Sequence, residues 1–496
     1  MNDKPYVIII NPPRFNGKNV RRDERSADIL ENEVSPFYQG AVMAQYLRLK
    51  RQAEVKVLDA NGLDCDFTAV EEWIKENNQE RGQKIAIIKA ADDTLEHDAR
   101  VLALAKKFGF TTLLWEPILS PALPEKIYAQ INQPKKILDY IILNEAELTV
   151  NDFLIFGESA RGLAYADENG RLVINQRRSN EIITDLNELP IPDFNDLPVK
   201  NYQAWFGEGP WMTLFTSRGC IGQCQYCLIG GSTVNRGYGR PVRLQSPERV
   251  LEEIEILVKK FGVKHITFWD DCFTLQVQRV KEICQLIIEK KLKFRWSCMS
   301  RVDLIDYSLL KLMKKAGLKR IGFGVESGSQ RILDSIPKRT TVAQNLQAIK
   351  TCKKLGIWVW IYLIIGLPEE NWESIKETLR FVTKAKPDYI FMGCATPFPG
   401  TQYYEECQKF GLLPQDISES IVKEGIATGS KAKARSRYLS EAELTKAEFL
   451  VHRAFVFSSP KIIFNKLLEN RGRLNPNYIL NKIKFFIRKN YEDPSD

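Results

Sequence analysis

The chain has 496 residues, of which 44% are hydrophobic and 27% charged, a balance typical of globular proteins with two or three domains. It contains no run of 18 or more apolar residues, which argues against a transmembrane helix. The formal net charge of +9 is modest for this length and by itself identifies no partner.

The N-terminus and the cysteines both bear on the cellular compartment. The chain opens on a strand-like run, Tyr6–Ile10, and lacks the basic-then-apolar form of a signal peptide. Ten cysteines are present, and outside one short segment they follow no regular spacing. Scattered thiols are typical of proteins in a reducing compartment. We therefore expect reduced cysteines and a cytoplasmic protein.

Residues 1–155 form the first predicted domain, in which strand-like and helix-like segments alternate. Short apolar strands separated by helices predict a doubly wound parallel sheet that is covered on both faces. In such a sheet ligands bind at the carboxyl ends of the strands. The predicted strands are Tyr6–Ile10, Glu54–Leu58, Lys84–Ile88, Thr111–Trp115 and Leu138–Leu143, and the helices are Phe37–Leu49, Val70–Asn77, Asp98–Lys107 and Pro124–Ile131.

Residues 156–205 are predicted to be a connector. The turn Glu168-Asn169-Gly170 between two short apolar runs predicts a hairpin. The segment Leu186–Asp193 is polar and rich in proline, as linkers are.

The alternation resumes over residues 206–410, the second predicted domain. Ser246 can cap its first helix, and Pro247 suits the first helical position. Six repeats are too few for a closed eight-stranded barrel, so we predict a partial barrel whose active face lies at the strand carboxyl ends. The predicted strands are 212–216, 265–270, 294–298, 320–325, 357–364 and 388–393, and the helices are 247–261, 277–290, 307–316, 341–355 and 371–384.

Three cysteines, Cys220, Cys224 and Cys227, follow the first strand of this barrel within one short loop. Spacings of four and three residues can point three thiolates at one face of an iron–sulfur cube and leave the fourth iron open. One alternative is a structural zinc site, which usually needs a further pair of Cys or His ligands. No such pair follows in the sequence. The other alternative is an accidental group of core cysteines.

Together with later motifs, this loop resembles the radical S-adenosylmethionine (radical SAM) enzymes. The later motifs occur in the order that this family shows, and the resemblance extends over residues 1–410, toward the branch with an N-terminal cobalamin-binding domain. It implies the α/β layout given above, with a partial (β/α)6 barrel. Beyond it, the apolar pattern at 439–456 predicts a helix, so we expect a mainly helical region at 411–496. The motifs are Phe268–Thr274, Gly322–Ser329, Gly366–Glu369 and Pro397–Thr401.

The resemblance implies a chemistry. The three cysteines would hold a [4Fe–4S] cluster whose open iron takes the amino and carboxylate groups of S-adenosylmethionine. One electron, from a donor such as flavodoxin or ferredoxin, would then cleave a carbon–sulfur bond and release a 5′-deoxyadenosyl radical.

The resemblance also carries over eight contacts to S-adenosylmethionine. Tyr226, Ile364 and Gly366 would lie against the adenine, with Glu369 supporting the same loop. Asp270 and Asp271 would bind the methionyl amino group, and Arg301 its carboxylate. Ser300 and Glu326 would bind the ribose. A strand-end turn for the aspartates and a surface position for Arg301 are the simpler alternatives.

The first domain departs from the cobalamin-binding pattern. The Asp-x-His-x-x-Gly motif is absent, and the lone histidine His97 is expected at an exposed helix start. The family's glycine pair after the fourth strand is replaced by Trp115-Glu116-Pro117. Glycine allows the close backbone approach that a bulky corrinoid needs, whereas Trp and Pro do not. Two alternatives stay open: retained cobalamin, or a degenerate domain that only packs against the barrel.

These alternatives lead to two reactions. The first is cobalamin-dependent methylation of an unactivated carbon in a small-molecule or lipid-like substrate. The second is cobalamin-independent ring formation, coupling or rearrangement. A non-catalytic electron carrier is the third alternative, and the intact motifs beyond the cysteines argue against it.

The C-terminal region 411–496 is basic. Residues 461–489 hold eight Lys or Arg against one Glu, interleaved with aliphatic and aromatic residues. Gly472 and Pro476 divide them into two predicted helices, Lys461–Asn470 and Asn477–Lys489. These helices either pack on the barrel with a solvated basic face or lie on a membrane surface. No motif for nucleic-acid binding is visible, so we expect no nucleic-acid partner.

Overall fold

The computed structural model describes residues 4–22, 27–30, 33–78, 82–234, 241–414, 417, 421 and 434–458. Over these residues the chain forms a seven-stranded sheet and a six-stranded sheet, together with two two-stranded ribbons. The α/β class predicted from the sequence is confirmed. No helix among the described residues is both long enough and apolar enough to cross a membrane.

The first sheet has the strand order β4-β1-β5-β6-β7-β8-β9. Its first five strands in this order, β4, β1, β5, β6 and β7, run parallel. Its strands are β1 (Tyr6–Asn11), β4 (Glu54–Asp59), β5 (Lys84–Lys89), β6 (Thr111–Trp115), β7 (Tyr140–Ile142), β8 (Leu163–Ala166) and β9 (Leu172–Asn175), and the ribbon is β2 (Asn19–Arg22) with β3 (Ala27–Leu30). The helices are α1 (Tyr38–Arg51), α2 (Ala60–Leu63), α3 (Phe67–Glu76), α4 (Leu95–Lys107), α5 (Pro124–Ile131) and α6 (Ala146–Phe156).

The predicted connector is part of the folded body. Its hairpin, β8–β9, pairs antiparallel with β7 and so extends the first sheet. The segment after it buries apolar side chains at the junction of the two sheets, namely Leu186, Leu189, Phe194, Leu197 and Tyr202. The proline-rich pattern therefore predicted the irregular backbone correctly. The segment is nevertheless buried, because its apolar side chains pack into the core.

The second sheet contains the predicted partial barrel. Its six strands follow chain order and all pair parallel. They are β10 (Trp211–Leu214), β13 (His265–Phe268), β14 (Arg295–Ser300), β15 (Leu318–Glu326), β16 (Trp358–Ile365) and β17 (Tyr389–Cys394), with a ribbon of β11 (Ser217–Arg218) and β12 (Arg243–Leu244). The helices are α7 (Pro247–Lys259), α8 (Val277–Glu289), α9 (Tyr307–Lys315), α10 (Gln330–Ser335), α11 (Val342–Lys354), α12 (Trp372–Ala385), α13 (Gln402–Lys409) and α14 (Glu441–Phe457).

Local capping explains why the barrel helices begin where they do. As predicted, Ser246 accepts a hydrogen bond from the Arg249 N–H and Pro247 occupies the first turn of α7. Helix α14 begins with a capping box in which Ser440 and Glu443 satisfy each other's backbone N–H groups. This helix packs against α12 and β17 and so continues the outer layer of the barrel.

The C-terminal prediction is tested only in part. The predicted helix at 439–456 corresponds to α14. The two basic helices, Lys461–Asn470 and Asn477–Lys489, lie outside the described residues.

One hydrophobic core joins the two sheets. It continues from the α1 face of the first sheet into the barrel, where Met212 and Leu214 of β10 belong to the same buried cluster as Tyr38 and Val42 of α1. The first domain therefore packs directly on the barrel, next to the strand that leads into the cysteine loop.

Candidate active site

The cysteine loop begins where β10 ends, at the carboxyl face of the barrel. A β-carbon added to Gly222 would lie 3.4 Å from the Cys220 sulfur and 3.7 Å from the Cys224 sulfur. The two sulfurs therefore converge on one point. The Gly222 N–H lies 3.3 Å from the Cys220 sulfur, and the Ile229 N–H lies 3.4 Å from the Cys227 sulfur. Such N–H groups stabilise negative charge on sulfur.

The three thiols fit an iron–sulfur cluster. Burial raises the pKa of each, that of Cys227 to about 12, so the free thiols are protonated at neutral pH. Iron binding must displace these protons. A cubane spreads its cysteine ligands over three irons. In the part of the chain that the structure describes, no three Cys, His, Asp or Glu side chains close around a single ion.

The two predicted aspartates have different positions. Asp270 is fully buried, and its carboxylate accepts hydrogen bonds from the Thr216 N–H (2.6 Å), the Thr216 hydroxyl (2.6 Å) and the Ser217 N–H (2.9 Å). Both its oxygens are thus engaged inside the protein, and Asp270 anchors the backbone that leads into the loop. Its predicted contact with S-adenosylmethionine stays a prediction. Asp271 accepts from the Gly219 N–H at 3.2 Å, beside Cys220, and remains the predicted amino-group contact.

Arg301 lies beside the cluster loop. One of its terminal nitrogens is 3.7 Å from the β-carbon position of Gly222. The rest of the guanidinium is held by Asp303, at 2.8–3.0 Å, and by the Lys338 carbonyl, at 2.8 Å. Ser300 is buried, and its hydroxyl bonds Thr274 at 2.6 Å and the Arg301 carbonyl at 3.1 Å. The strand end thus orients Arg301, whereas the hydroxyl predicted for the ribose is already engaged.

Glu326 is paired with a lysine that the sequence reasoning missed. It ends β15 with φ of +65°, a left-handed backbone that is uncommon for a non-glycine residue and often marks functional sites. Its carboxylate forms a buried ion pair with Lys338, whose ammonium also donates to the Gly324 carbonyl at 2.6 Å. Lys338 follows Ile336-Pro337 in an irregular segment, where no periodic pattern singled it out.

Gly324 makes room for this pair, which yields a first prediction. A β-carbon there would lie 2.3 Å from Glu326 Oε1 and 2.5 Å from Lys338 Nζ. Gly324→Ala should displace both groups and weaken S-adenosylmethionine binding at least tenfold, since a buried charged hydrogen bond contributes roughly 1.5–3 kcal/mol. Binding to the cluster-loaded variant measures this. Lys319→Ala, at an exposed position of the same strand, should bind normally. Equal affinities would contradict the role of the pair.

The predicted adenine residues lie together at the end of β16. Ile364 and Tyr226 pack against one apolar cluster, which includes Tyr403 of α13. The Tyr403 hydroxyl donates to the Gly366 carbonyl at 3.2 Å, and its N–H donates to the Gln225 carbonyl at 3.0 Å. Helix α13 therefore joins the cysteine loop to the Gly366 loop.

Glu370, rather than Glu369, supports this loop. Glu369 forms an ion pair with Arg437 at 2.7 Å on the outside of the protein. Glu370 is fully buried and accepts from the Gly366 N–H at 3.2 Å and the Ser374 hydroxyl at 2.8 Å. The sequence resemblance therefore selected the wrong one of two adjacent carboxylates.

The buried Glu370 predicts a dependence of stability on pH. Burial raises its pKa from 4.5 to about 7. Because the folded state holds this proton more tightly than the unfolded state, the contribution to stability is complete below about pH 4.5 and is lost as the pH rises through 7. The loss is about 3 kcal/mol. Glu370→Gln should remove this part of the pH slope in chemical denaturation between pH 5 and 8. An unchanged slope would contradict the assignment.

An ionic cluster connects the first domain to the cysteine loop. Glu145 bonds Arg218 at 2.8 Å and Arg243 at 2.7 Å, and Glu147 bonds Arg218 at 2.6 Å. All four side chains are at least 90% buried. Arg218 directly precedes Gly219 and Cys220. The start of α6 therefore fixes the position from which the cysteine loop begins.

The strand ends of the first domain are closed at two places where a corrinoid is expected. Glu116 caps its own turn by accepting from the N–H groups of Ile118, Leu119 and Ser120 at 2.7–3.1 Å. Near the end of β1, Arg22 of the β2–β3 ribbon forms a fully buried pair with Asp98 at 2.6 Å. These residues therefore do not provide the glycine-lined access through which a corrinoid would approach the strand ends.

His97 lies in the first turn of α4, as predicted, but it is not exposed. It lies half-buried between the rings of Phe15 and Phe67, 5.2 and 4.9 Å from their centres.

The crevice between α1 and β10 offers a different fit. Gln39 is 7% exposed, and among the described residues neither atom of its amide has a hydrogen-bond partner. The buried Oε1 of Gln245 likewise has no hydrogen-bond partner among the described residues. Both residues line a narrow crevice with Phe215 and Arg218. The rim of a corrinoid carries carboxamides, which pair with side-chain amides. The residues fit that rim, although the crevice must widen to admit so large a group.

Comparison with known proteins agrees with this geometry. The Radical SAM superfamily matches residues 214–382. A Pyrococcus horikoshii protein named as an uncharacterized methyltransferase is 36% identical over 344 residues, which are 68% of this chain and 71% of that protein. The chain belongs to the radical SAM superfamily, whose members use a [4Fe–4S] cluster and S-adenosylmethionine.

Two solved structures share the fold. The radical S-adenosylmethionine methyltransferase TsrM from Kitasatospora setae, with cobalamin and a [4Fe–4S] cluster bound, has a TM-score of 0.64 and 14% identity. The match covers 82% of this chain and 78% of that one. The cobalamin-dependent radical enzyme OxsB has a TM-score of 0.62 and 21% identity, over 86% of this chain but only 57% of its own. The order of a parallel-sheet domain and a partial barrel is thus shared.

Proposed function

We propose that this protein is a radical SAM methyltransferase that acts on an unactivated carbon of a small molecule, with cobalamin as the methyl carrier. The observation that carries the proposal is the position of the first domain. Its strand ends meet the barrel beside the cysteine loop. The crevice there contains the amide of Gln39 and the Oε1 of Gln245, which have no hydrogen-bond partner among the described residues. The names of the relatives support methyl transfer as the reaction class.

Four groups of residues would bind the cluster and S-adenosylmethionine. Cys220, Cys224 and Cys227 would hold the cluster, which supplies one electron for cleavage of S-adenosylmethionine. Asp271 and Arg301 carry the charges that complement the methionyl amino and carboxylate groups. Glu326, oriented by Lys338, carries the acceptor for the ribose hydroxyls. Tyr226 and Ile364 provide the apolar surface for the adenine. Such positioning decides which carbon the radical meets.

Gln39 and Gln245 would hold the rim of cobalamin, which supplies the methyl group when bound. Protein purified from cells that were given cobalamin should retain about one corrinoid per chain, measured by absorption and mass spectrometry. Gln39→Leu should lower this retention severalfold, because it leaves a rim carboxamide without a partner. Gln347→Leu, on the exposed face of α11, is the matched control. A wild-type protein without corrinoid would contradict the methyl-carrier proposal.

A second candidate function is favoured by the closed strand ends. Glu116 and the Arg22–Asp98 pair fill positions that a corrinoid would approach. If no corrinoid is retained, the same barrel would perform ring formation, coupling or rearrangement, with the first domain as a support for the cysteine loop.

The remaining partners are also proposals. A small electron carrier such as flavodoxin or ferredoxin would reduce the cluster in the cytoplasm. The basic residues 461–489 would add contact with an anionic membrane surface, each contributing about 1 kcal/mol. Truncation after Pro460 tests this contact. The truncated protein should stay folded and keep its iron, but should no longer sediment with anionic vesicles. Loss of iron or of solubility would instead place the tail in the core.

A further inference from the structure

The topology places five helix-to-strand turns of the barrel on one face. Because its six strands run parallel, every turn that leads from a helix into the next strand lies at the amino ends of the strands, opposite the cysteine loop. We name this surface the turn face and define it by residues 259–264, 289–295, 314–320, 353–358 and 384–389.

The turn face is a continuous surface, and it is strongly basic. Neighbouring turns touch, since the Lys314 ammonium donates to the Leu355 carbonyl. The face carries fifteen Lys or Arg residues and two acidic ones, Glu289 and Asp388, and all of these cations except Arg320 are exposed. The turns at the opposite end carry eight acidic residues against four basic ones, within 269–276, 300–306, 326–341, 365–371 and 394–401. The barrel therefore has one cationic end.

Helix ends account for only part of this charge. Lysines in the last turn of a helix are favoured because they complement its negative end, and the effect fades within that turn. Six cations of the turn face lie beyond the helix caps, where this preference does not act. They are Lys264, Lys291, Lys293, Arg295, Lys319 and Arg320.

The cations of the turn face are mainly lysines. Its two arginines, Arg295 and Arg320, are both held by Glu208 at 3.0 Å. Arginine forks bind phosphates and base edges in nucleic acids, and here the forks are engaged within the protein. A lysine ammonium is a compact, hydrated point charge. Lysines spread over five turns therefore suit the diffuse negative charge of an anionic lipid surface.

Aromatic residues occupy the centre of the turn face. The ring of Trp205 lies 5.6 Å from that of Trp358 and 5.1 Å from that of Tyr389, which are the first residues of β16 and β17. All three side chains are partly exposed. Tryptophan and tyrosine are enriched where proteins meet the interfacial layer of a membrane. Because the rings pack on one another, they leave little face for the stacking of nucleic-acid bases.

Helix α14 brings the chain to the turn face. It begins at the opposite end of the barrel, where Glu443 accepts from the indole of Trp372, the first residue of α12, at 3.1 Å. Its 17 residues extend about 25 Å along α12 and β17, and Phe455 near its end is still buried in the core. Since α12 ends at Ala385 on the turn face, α14 ends there too. The basic residues 461–489 follow directly in the sequence.

We propose that the turn face docks on an anionic lipid bilayer. The proposal goes beyond the radical reaction and does not depend on it. A single weak attachment to a membrane is reversible, whereas stable attachment needs two. The turn face supplies the second attachment, beside the basic residues 461–489. Docked in this way, the cysteine loop lies on the side away from the lipid, where an electron carrier can reach it.

Charge reversal on the turn face tests this proposal. The full-length variant Lys264→Glu/Lys293→Glu/Lys319→Glu changes exposed lysines that lie in no helix, in three neighbouring turns. Each basic residue near an anionic surface contributes about fivefold in affinity. Sedimentation with phosphatidylserine–phosphatidylcholine vesicles at physiological salt should therefore weaken by about a hundredfold or more. The wild-type protein should not sediment with vesicles of phosphatidylcholine alone.

A second triple variant provides the matched control. Lys56→Glu/Lys135→Glu/Lys136→Glu makes the same charge change at exposed lysines of the first domain. It should sediment nearly like the wild-type protein, because charges more than about 8 Å from the lipid are screened. Both variants should keep the wild-type unfolding midpoint. Truncation after Pro460 removes the other attachment, so it should release the protein as well.

Three results would overturn the proposal. The first is a wild-type protein that does not sediment with the anionic vesicles, and in particular one that binds an RNA oligonucleotide instead. The second is a turn-face variant that sediments like the wild-type protein. The third is an equal loss in both triple variants, which would show that only net charge matters. Cleavage of S-adenosylmethionine is measured separately, and its absence would count against the proposed function alone.

Discussion

Cys224→Ala is expected to abolish both iron binding and S-adenosylmethionine cleavage. The Cys224 and Cys220 sulfurs converge beside Gly222, and each of the three cysteines holds a different iron of a [4Fe–4S] cluster. Without one of them the cluster cannot be held at three corners. Iron content after anaerobic reconstitution should fall from about four per chain to near zero, and 5′-deoxyadenosine should no longer form.

Cys65→Ala is the matched control, since Cys65 lies in the first domain, outside the cysteine loop. It should keep its iron and its cleavage activity. Full cleavage by the Cys224 variant would show that the loop is not the cluster site.

Glu145→Ala is expected to have the largest effect on stability. The variant leaves Arg243 and part of Arg218 buried without their carboxylate, because Glu145 bonds both at 2.7–2.8 Å. Removing one partner of a buried ion pair costs about 3–5 kcal/mol. The free energy of unfolding in denaturant should fall by that amount. Iron retention should fall as well, since Arg218 directly precedes Gly219-Cys220.

Glu71→Ala provides the comparison. Glu71 pairs with Lys107, but both side chains are substantially exposed, and such pairs contribute about 0–1 kcal/mol. A Glu145 variant that loses no more than the Glu71 variant would mean that the ionic cluster does not hold the two domains together.

Most of the fold could be predicted from the sequence, because the strands are short apolar runs and the helices between them have clear caps. Ser246-Pro247 located the start of α7, and all six barrel strands were found. The connector's hairpin was predicted from its Asn-Gly turn, whereas the proline and polar residues after it indicate only an irregular backbone. They do not reveal that Phe194 and Tyr202 are buried.

The site was predictable where a short motif holds the residues and was not where the fold brings distant residues together. The cysteine loop is local, so its spacing was informative. Lys338 reaches Glu326 only because an irregular segment folds back over β15. Asp270 lies in the expected motif, yet its burial against Thr216 decides its role. Glu145 and Arg218 are 73 residues apart, and no pattern along the chain connects them.

Product analysis of the reduced, reconstituted protein tests the central claim most directly. With a one-electron reductant and S-adenosylmethionine, we expect equal amounts of 5′-deoxyadenosine and methionine, in a protein that contains about four irons. A protein that binds its irons and is reduced, but forms no 5′-deoxyadenosine, would contradict the assignment of this barrel to radical chemistry.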